Sequence, residues 1–220
     1  MLEKALRVLL APAFLAILAA GRAADLPLIF SDDFEPGPAA AWRPSDPAHW
    51  RAAGETGARR YELTAPGAPG KVRAPASWSV IGGRDVSRFV FTGRLRCDAD
   101  PSNPKRDLDV IFHFRDPEHF AYVHFAASSD DIHNIIGLVD GADRVKVNLE
   151  PAGKSAARLI DRGWHVFKVT CDAAGRIEAF LDDPAAPILT ARLSPRAHGL
   201  VGVGSFDDTG AFDRIRLRGE

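Results

Sequence analysis

The chain has 220 residues, and its 28 Lys and Arg against 29 Asp and Glu give a formal net charge of −1. A near-neutral chain without a basic stripe of interleaved aromatic residues argues against nucleic acid as a partner. The length is that of one folded domain.

Residues 1–23 are interpreted as an export signal. Lys4 and Arg7 precede an apolar run over residues 8–20, and the small residues Gly21 and Ala23 precede the predicted cleavage point. The run is short for a bilayer span, and no later run is apolar enough. We therefore expect a signal peptide at 1–23, a single domain at 24–220, a secreted or periplasmic location, and no membrane insertion after cleavage.

The remaining chain predicts short strands separated by Gly, Pro and Asp turns, without a sustained helical period. Asp140 and Gly141 form the strongest hairpin turn signal. The predicted strands are 28–30, 61–64, 71–73, 78–81, 89–96, 108–115, 120–126, 135–139, 144–149, 164–170, 176–181, 190–193, 199–204 and 212–217. This spacing predicts an all-β fold, specifically a two-sheet antiparallel β-sandwich.

Cys97 and Cys171 each end a strand-like run and are each followed by Asp. An exported chain with an even number of cysteines permits one disulfide, and two free buried thiols are equally compatible with the pattern. Neither cysteine has a Cys or His at metal-binding spacing, which argues against a zinc site.

The hairpin over residues 108–126 sorts its side chains into two different faces, because side chains alternate along a strand. One face takes Leu108, Val110, Phe112 and Phe114 together with Ala121, Val123 and Phe125. If paired residue numbers add up to 235 or 237, residue 113 lies opposite residue 122 or 124. The other face then carries Asp109, His113, Arg115, Tyr122 and His124.

This polar face predicts a glycan-binding surface, since ordinary solvent faces carry Lys, Glu and Thr more often than clustered His and Tyr. The fork of Arg115 suits a carboxylate or sulfate group on an acidic glycan. His133 and Asn134 open the next strand and are included in the candidate binding set. The alternative interpretation is a solvated face with a few satisfied histidines.

Several motifs together resemble a known family. They are Asp32-Asp33-Phe34-Glu35 near the start, the hairpin at 110–124, and the segments 164–169, 175–182, 199–206 and 212–217. The chain resembles the laminin-G-like, concanavalin A-like jelly rolls of bacterial exported proteins, and it is similar to the 3-keto-disaccharide hydrolase domain group and to sugar-binding modules of exo-glycosidases. The resemblance implies a jelly roll that binds a poly- or oligosaccharide without an organic cofactor.

Two classes of function follow. The first is a secreted, non-catalytic carbohydrate-binding domain. The second is a glycan-cleaving enzyme, either a polysaccharide lyase or a disaccharide hydrolase. A lyase would use Arg115 or Asn134 to neutralise a uronate, His113 or His124 as base and Tyr122 as acid. A retaining hydrolase of the Glu-x-Asp-x-x-Glu type is disfavoured because that run is absent.

The resemblance also implies a structural calcium ion. First and last strands usually pair in such sandwiches, which brings Asp32, Asp33 and Glu35 towards Asp213, and hard cations prefer carboxylate oxygens. Asp33 and Asp213 are therefore the candidate Ca²⁺ ligands, with Asp207 and Asp208 in the turn just before. The competing interpretation is ordinary turn chemistry.

Overall fold

The computed structural model describes residues 26–150 and 158–220, so the predicted signal peptide lies outside the described residues. The described residues form fifteen strands and one short 3-10 turn, Pro47–His49, without an α-helix. None of the described segments is a helix of the length and apolar character that crossing a membrane requires.

The first eight strands are β1 (Leu28–Asp32), β2 (Trp42–Pro44), β3 (Trp50–Ala53), β4 (Arg60–Leu63), β5 (Ser77–Ile81), β6 (Phe89–Cys97), β7 (Asp107–Asp116) and β8 (His119–Ala126). The remaining strands are β9 (Ile135–Asp140), β10 (Val145–Lys146), β11 (His165–Cys171), β12 (Arg176–Leu181), β13 (Leu189–Arg192), β14 (Leu200–Ser205) and β15 (Gly210–Gly219). Most predicted strands are confirmed. The predicted strand at 71–73 is wrong, and β2 and β3 were not predicted.

The strands form two antiparallel sheets. The eight-stranded sheet has the order β13-β12-β11-β6-β15-β4-β3, with β1 also paired to β15, and the seven-stranded sheet has the order β10-β9-β8-β7-β14-β5-β2. Strands distant in sequence are therefore neighbours, and β7 and β8 lie near the middle of the second sheet. The two-sheet sandwich predicted from turn spacing is confirmed.

The main core lies between the sheets. Phe91 and Phe167 from the eight-stranded sheet belong to the same buried cluster as Val110, Val123 and Val203 from the seven-stranded sheet. These are the inward positions of alternating strands, as in β6, whose residues alternate between buried and partly buried along its whole length.

An aromatic group closes one end of this core. The ring of Tyr61 lies 5.2 Å from Phe34, 5.3 Å from Trp42 and 4.8 Å from Trp50, measured between centroids. The carboxylate of Asp32 accepts hydrogen bonds from the backbone N–H of Phe34 at 2.8 Å and from the indole N–H of Trp42 at 2.9 Å. Asp32 thereby anchors the segment that links β1 to β2.

Cys97 and Cys171 are both buried free thiols. Cys171 pairs with Phe89 at one end of β6, whereas Cys97 is the last residue of the same strand. Eight residues of strand separate those ends by roughly 26 Å, which is far beyond disulfide reach. Burial raises the pKa of Cys171 to about 12, so this thiol is unreactive.

Candidate functional site

The outer face of the seven-stranded sheet, opposite the main core, has an apolar half and a polar half. In the apolar half, Ile111, Phe114 and Phe120 form a separate buried cluster against which Trp78 packs. The polar half and its rim, which we call the histidine cluster, comprise Asp107, Asp109, Tyr122, His124, His133, Arg144 and Phe206. Both halves of this face are therefore covered rather than open.

Asp109 and His124 form the centre of the histidine cluster. They are paired residues on β7 and β8, and Nδ1 of His124 lies 2.9 Å from Oδ1 of Asp109. Burial raises the pKa of Asp109 and lowers the pKa of His124, so the pair is net neutral with one proton between these atoms. The remaining atoms, Oδ2 of Asp109 and Nε2 of His124, have no hydrogen-bond partner.

His133 is the more accessible histidine and is oriented by Asp130. Its Nδ1 lies 2.9 Å from Oδ2 of Asp130, and the backbone N–H groups of Ile132 and His133 also donate to this carboxylate. Burial opposes ionisation of Asp130, but these hydrogen bonds outweigh it and hold its pKa below the usual value. Because the ionised carboxylate accepts a hydrogen bond from Nδ1, the neutral ring of His133 has a lone pair on Nε2. The centroids of the His133 and His124 rings are 5.8 Å apart.

Tyr122 lies beside this pair because its partner on β9 is a glycine. Tyr122 is paired with Gly137, and a Cβ placed on Gly137 would approach the Tyr122 ring carbon Cζ to 2.3 Å. Burial raises the pKa of Tyr122 above its usual range, so the phenol stays protonated, and its hydroxyl has no hydrogen-bond partner. The group is thus a hydrogen-bond donor or a proton source.

Arg144 and Phe206 form the rim. The Arg144 guanidinium lies 4.7 Å above the Phe206 ring, which contacts His124 at 5.1 Å between centroids. In the part of the chain that the structure describes, no carboxylate forms an ion pair with Arg144. Its charge lies close enough to lower the pKa values of Asp109 and His124, after the larger effects of burial.

A group of acidic side chains borders the histidine cluster. Among the described residues, two sets could hold a cation: Asp107 with Asp109 and His124, and Asp107 with Asp207 and Asp208. Oδ1 of Asp107 accepts from the Ser205 hydroxyl at 3.0 Å. Burial raises the pKa of Asp107 to about 7, and the neighbouring charge of Asp109 adds to this shift while that of His124 opposes it.

The predicted cation ligands Asp33 and Asp213 do not form such a group. Strands β1 and β15 pair as expected, but Asp213 accepts a hydrogen bond from Nε of Arg94 at 2.8 Å. Asp33 accepts from the backbone N–H of Glu35. Arg94 on the neighbouring strand already neutralises Asp213, so this carboxylate is not available to a cation. The acidic groups that could hold a cation lie around Asp107.

The residues of the predicted polar face do not all lie together, because a bulge interrupts β7. Paired numbers on β7 and β8 add up to 233 as far as Phe112, rather than to the predicted 235 or 237, so Asp109 faces His124 and Ile111 faces Tyr122. The register shifts after Phe112, and His113 has a φ of 50°, which marks a bulge.

Beyond the bulge, Phe114 lies on the outer face rather than the predicted inner one. His113 packs against Phe89 and Phe112, and Arg115 is exposed, 3.7 Å from Asp140. The bulge therefore separates His113 and Arg115 from Tyr122 and His124.

Of the candidate binding residues, the structure brings together Asp109, Tyr122, His124 and His133. Asn134 is buried with a φ of 54°, which asparagine tolerates, and it forms the bend that follows His133. The sequence analysis missed Asp130, Arg144 and Phe206. The available signals were the Asp-x-x-His spacing before His133 and the hairpin turn that returns the chain at Arg144.

No known protein family and no curated protein matches this sequence. Solved structures do match, at low identity. The carbohydrate-binding module CBM66 from Bacillus subtilis is 14% identical with a TM-score of 0.54, over 81% of this chain and 95% of that one. Cellulose induced protein, Cip1, is 15% identical with a TM-score of 0.57, over 86% and 96%.

The carbohydrate recognition domain of Emp46p is 10% identical with a TM-score of 0.58, over 88% of this chain and 97% of that chain. These likenesses agree with the predicted resemblance and confirm that the chain is a concanavalin A-like jelly roll. Since the identities are only 10–15%, these likenesses establish the fold alone.

Burial of His113 predicts a pH-dependent stability. Burial, with a smaller contribution from His198, lowers the pKa of His113 from 6.5 to about 4, while the backbone of Ser87 and the charge of Asp85 act in the opposite sense. Between these values the unfolded state binds more protons, so stability falls as pH decreases through this window and is unaffected by this group above pH 6.5.

From pH 7 to pH 5 we expect His113 to remove about 2 kcal/mol of unfolding free energy, measured by urea denaturation. Asparagine tolerates the positive φ at this position and does not titrate. The unfolding free energy of His113→Asn should therefore fall by about 2 kcal/mol less than that of the wild type over the same pH range. Equal pH slopes for the two proteins would contradict the assignment.

Proposed function

We propose that this protein is an exported carbohydrate-binding domain, comprising residues 24–220, whose glycan site is the histidine cluster. The observation that carries the proposal is a rim of two polar side chains over buried groups whose hydrogen-bonding atoms are not all used. One rim group is a guanidinium without a carboxylate partner among the described residues, and the other is an imidazole oriented by an aspartate. Arg144 and His133 form that rim, and Tyr122, Asp109 and His124 lie beneath it. Proteins rarely leave buried polar groups unpaired, so their presence here favours a ligand.

The chemistry of the rim suits a sugar. The Phe206 ring offers an apolar surface for the C–H face of a pyranose, as aromatic rings do in sugar sites. Nε2 of His133 accepts from a hydroxyl, and the Arg144 fork donates to ring substituents or to a carboxylate. The jelly-roll neighbours described as carbohydrate-binding support the same conclusion. The partner is therefore an oligo- or polysaccharide.

A glycan lyase is the second candidate, because His133, Tyr122 and Arg144 supply the required groups in one place. Arg144 would neutralise a uronate carboxylate, and Nε2 of His133 would remove the proton at C5. The C5–H electron pair forms the C4=C5 double bond as the C4–O bond breaks, and the protonated Tyr122 phenol donates to the leaving oxygen. These roles replace those first assigned to His113 and Arg115, which lie elsewhere.

We further propose that Ca²⁺ binds at Asp107, Asp207 and Asp208. This set offers only carboxylate oxygens, which Ca²⁺ prefers, whereas Oδ1 of Asp109 and Nδ1 of His124 already bond to each other. Bound Ca²⁺ would supply the positive charge that lets the buried Asp107 carboxyl ionise. It would also hold the turn that carries Phe206.

Binding to polysaccharide panels tests the glycan site. In affinity gels containing neutral, uronate-containing or sulfated polysaccharides, we expect retardation by at least one glycan. Arg144→Gln and His133→Ala should each weaken that binding by about 10-fold or more, the loss expected for one charge-assisted hydrogen bond.

Arg192→Gln and His49→Ala are matched controls. Arg192 is exposed on β13, and His49 is another aspartate-paired histidine, distant in sequence from the histidine cluster. Both should bind like the wild type. If the rim variants also bind like the wild type, the glycan site lies elsewhere.

Product formation tests the lyase. Incubation with uronate-containing polysaccharides should release unsaturated ends, followed by their ultraviolet absorbance, and Tyr122→Phe should reduce the rate by about 100-fold. Binding without any new ends would reject the lyase and leave the binding domain.

Thermal denaturation tests the cation. Ca²⁺ at about 100 times its Kd should add about 2.7 kcal/mol to the unfolding free energy, raising Tm by roughly 5–10 °C. Asp208→Asn should abolish this shift, whereas Asp33→Asn should keep it. Loss of the shift in Asp33→Asn alone would return the ion to the β1–β15 pair, and no shift in the wild type would exclude the site.

A further inference from the structure

A cavity of about 300 Å³ lies at the end of the sandwich where the β7–β8 turn meets the segment before β14. We call it the tip pocket. Its polar lining consists of His113, Arg115, His119, Asp140, Ser194, Arg196 and His198. None of these residues belongs to the histidine cluster, so the tip pocket is a separate site and does not depend on the proposed function of that cluster.

His113 is the feature that distinguishes the tip pocket from an ordinary surface hollow. The residue is only 5% exposed, and no hydrogen bond of normal geometry holds either ring nitrogen. The Ser87 backbone can serve only one of the two ring nitrogens, and a buried nitrogen left without a full hydrogen bond is costly. A ligand hydroxyl or carboxylate in the cavity would recover that cost, and the bulge at His113 is what aims the ring here.

Two guanidinium groups, those of Arg115 and Arg196, line the tip pocket. Asp140 is the single acidic residue of the lining, and it lies 3.7 Å from Arg115 with both side chains more than half exposed, so this ion pair is weak. Within residues 26–150 and 158–220, no carboxylate pairs with the Arg196 guanidinium. The Arg196 guanidinium is therefore available to an anion.

Two histidines complete the polar wall. Nδ1 of His119 lies 2.8 Å from Asp116, and Nδ1 of His198 lies 2.8 Å from Asp85. In the neutral rings, each carboxylate fixes the proton on Nδ1 and leaves Nε2 as an acceptor for a hydroxyl. Phe120 and Leu138 line the same cavity and offer an apolar wall.

We propose that the tip pocket binds one carboxylate-bearing monosaccharide, such as a uronic acid or the uronic end residue of a glycan chain. The volume is at the lower end of the range for ligand pockets, which suits a single sugar ring. Arg115 and Arg196 hold the planar carboxylate, for which a guanidinium fork is matched. The imidazoles contact the hydroxyls, and Phe120 and Leu138 contact the C–H face.

Calorimetric titration of the purified protein with glucuronate tests this assignment. We expect a Kd of about 1 mM, typical of a single small ligand held by a few polar contacts. Glucose and the methyl ester of glucuronate, which lack the carboxylate charge, should bind at least about 10-fold more weakly. Equal binding of glucose, or no binding of any of these sugars, would overturn the proposal.

Variants assign the site. Arg196→Gln and His113→Asn should each weaken glucuronate binding by about 10-fold. The exposed Arg196 side chain keeps the test valid if His113→Asn fails to fold. The control Arg192→Gln should bind glucuronate like the wild type, and unchanged binding by Arg196→Gln would reject the tip pocket.

Competition identifies the ligand class. Inorganic sulfate that displaces glucuronate at equal concentration would show a general anion site and would reject a uronate site. Arg196→Gln separates the two proposals, because it should weaken the glucuronate titration without changing polysaccharide retardation, whereas Arg144→Gln and His133→Ala should reduce that retardation.

Discussion

Burial of the β7–β8 hairpin on both of its faces is the constraint on which the rest of the structure depends. The inner face contributes Val110 and Val123 to the core between the sheets. The outer face lies beneath its own cluster, so Asp109 and His124 are removed from water although both can ionise. Because an unpaired buried polar group is costly, these side chains bond to each other, and only the atoms that point away remain unsatisfied. Those atoms are the buried groups of the proposed glycan site.

The bulge after Phe112 is the second determinant. Extra residues in β7 send His113 towards Phe89 and bring Phe114 to the outer face. One strand therefore contributes to two proposed sites, the histidine cluster along its first half and the tip pocket at its end. This arrangement follows the general behaviour of bulges, which redirect a side chain at the point where regular pairing stops.

The rim residues come from connections rather than from the central strands. His133 lies just before β9, Arg144 just before β10, and Phe206 just after β14. A rigid sheet supplies the buried groups, and the connections supply the groups that a ligand meets first. Binding residues are often placed on loops held by a rigid scaffold, and this division of labour supports the assignment of the outer face as the binding surface.

The sequence by itself determined the strands, the antiparallel sandwich and the resemblance to concanavalin A-like jelly rolls, because alternation and turn residues are local properties. It also placed Asp109, Tyr122 and His124 on one face, because the predicted sums of paired residue numbers and the observed sum are all odd, and an odd sum puts these residues on the same side. Tertiary structure alone decided the register. The pairing of two strands depends on whether facing side chains fit together. At Gly137, for example, the absence of a side chain leaves room for the ring of Tyr122. The bulge at His113, the neutralisation of Asp213 by Arg94 and the approach of Arg144 to the cluster all required contacts between residues distant in sequence, which no local pattern encodes.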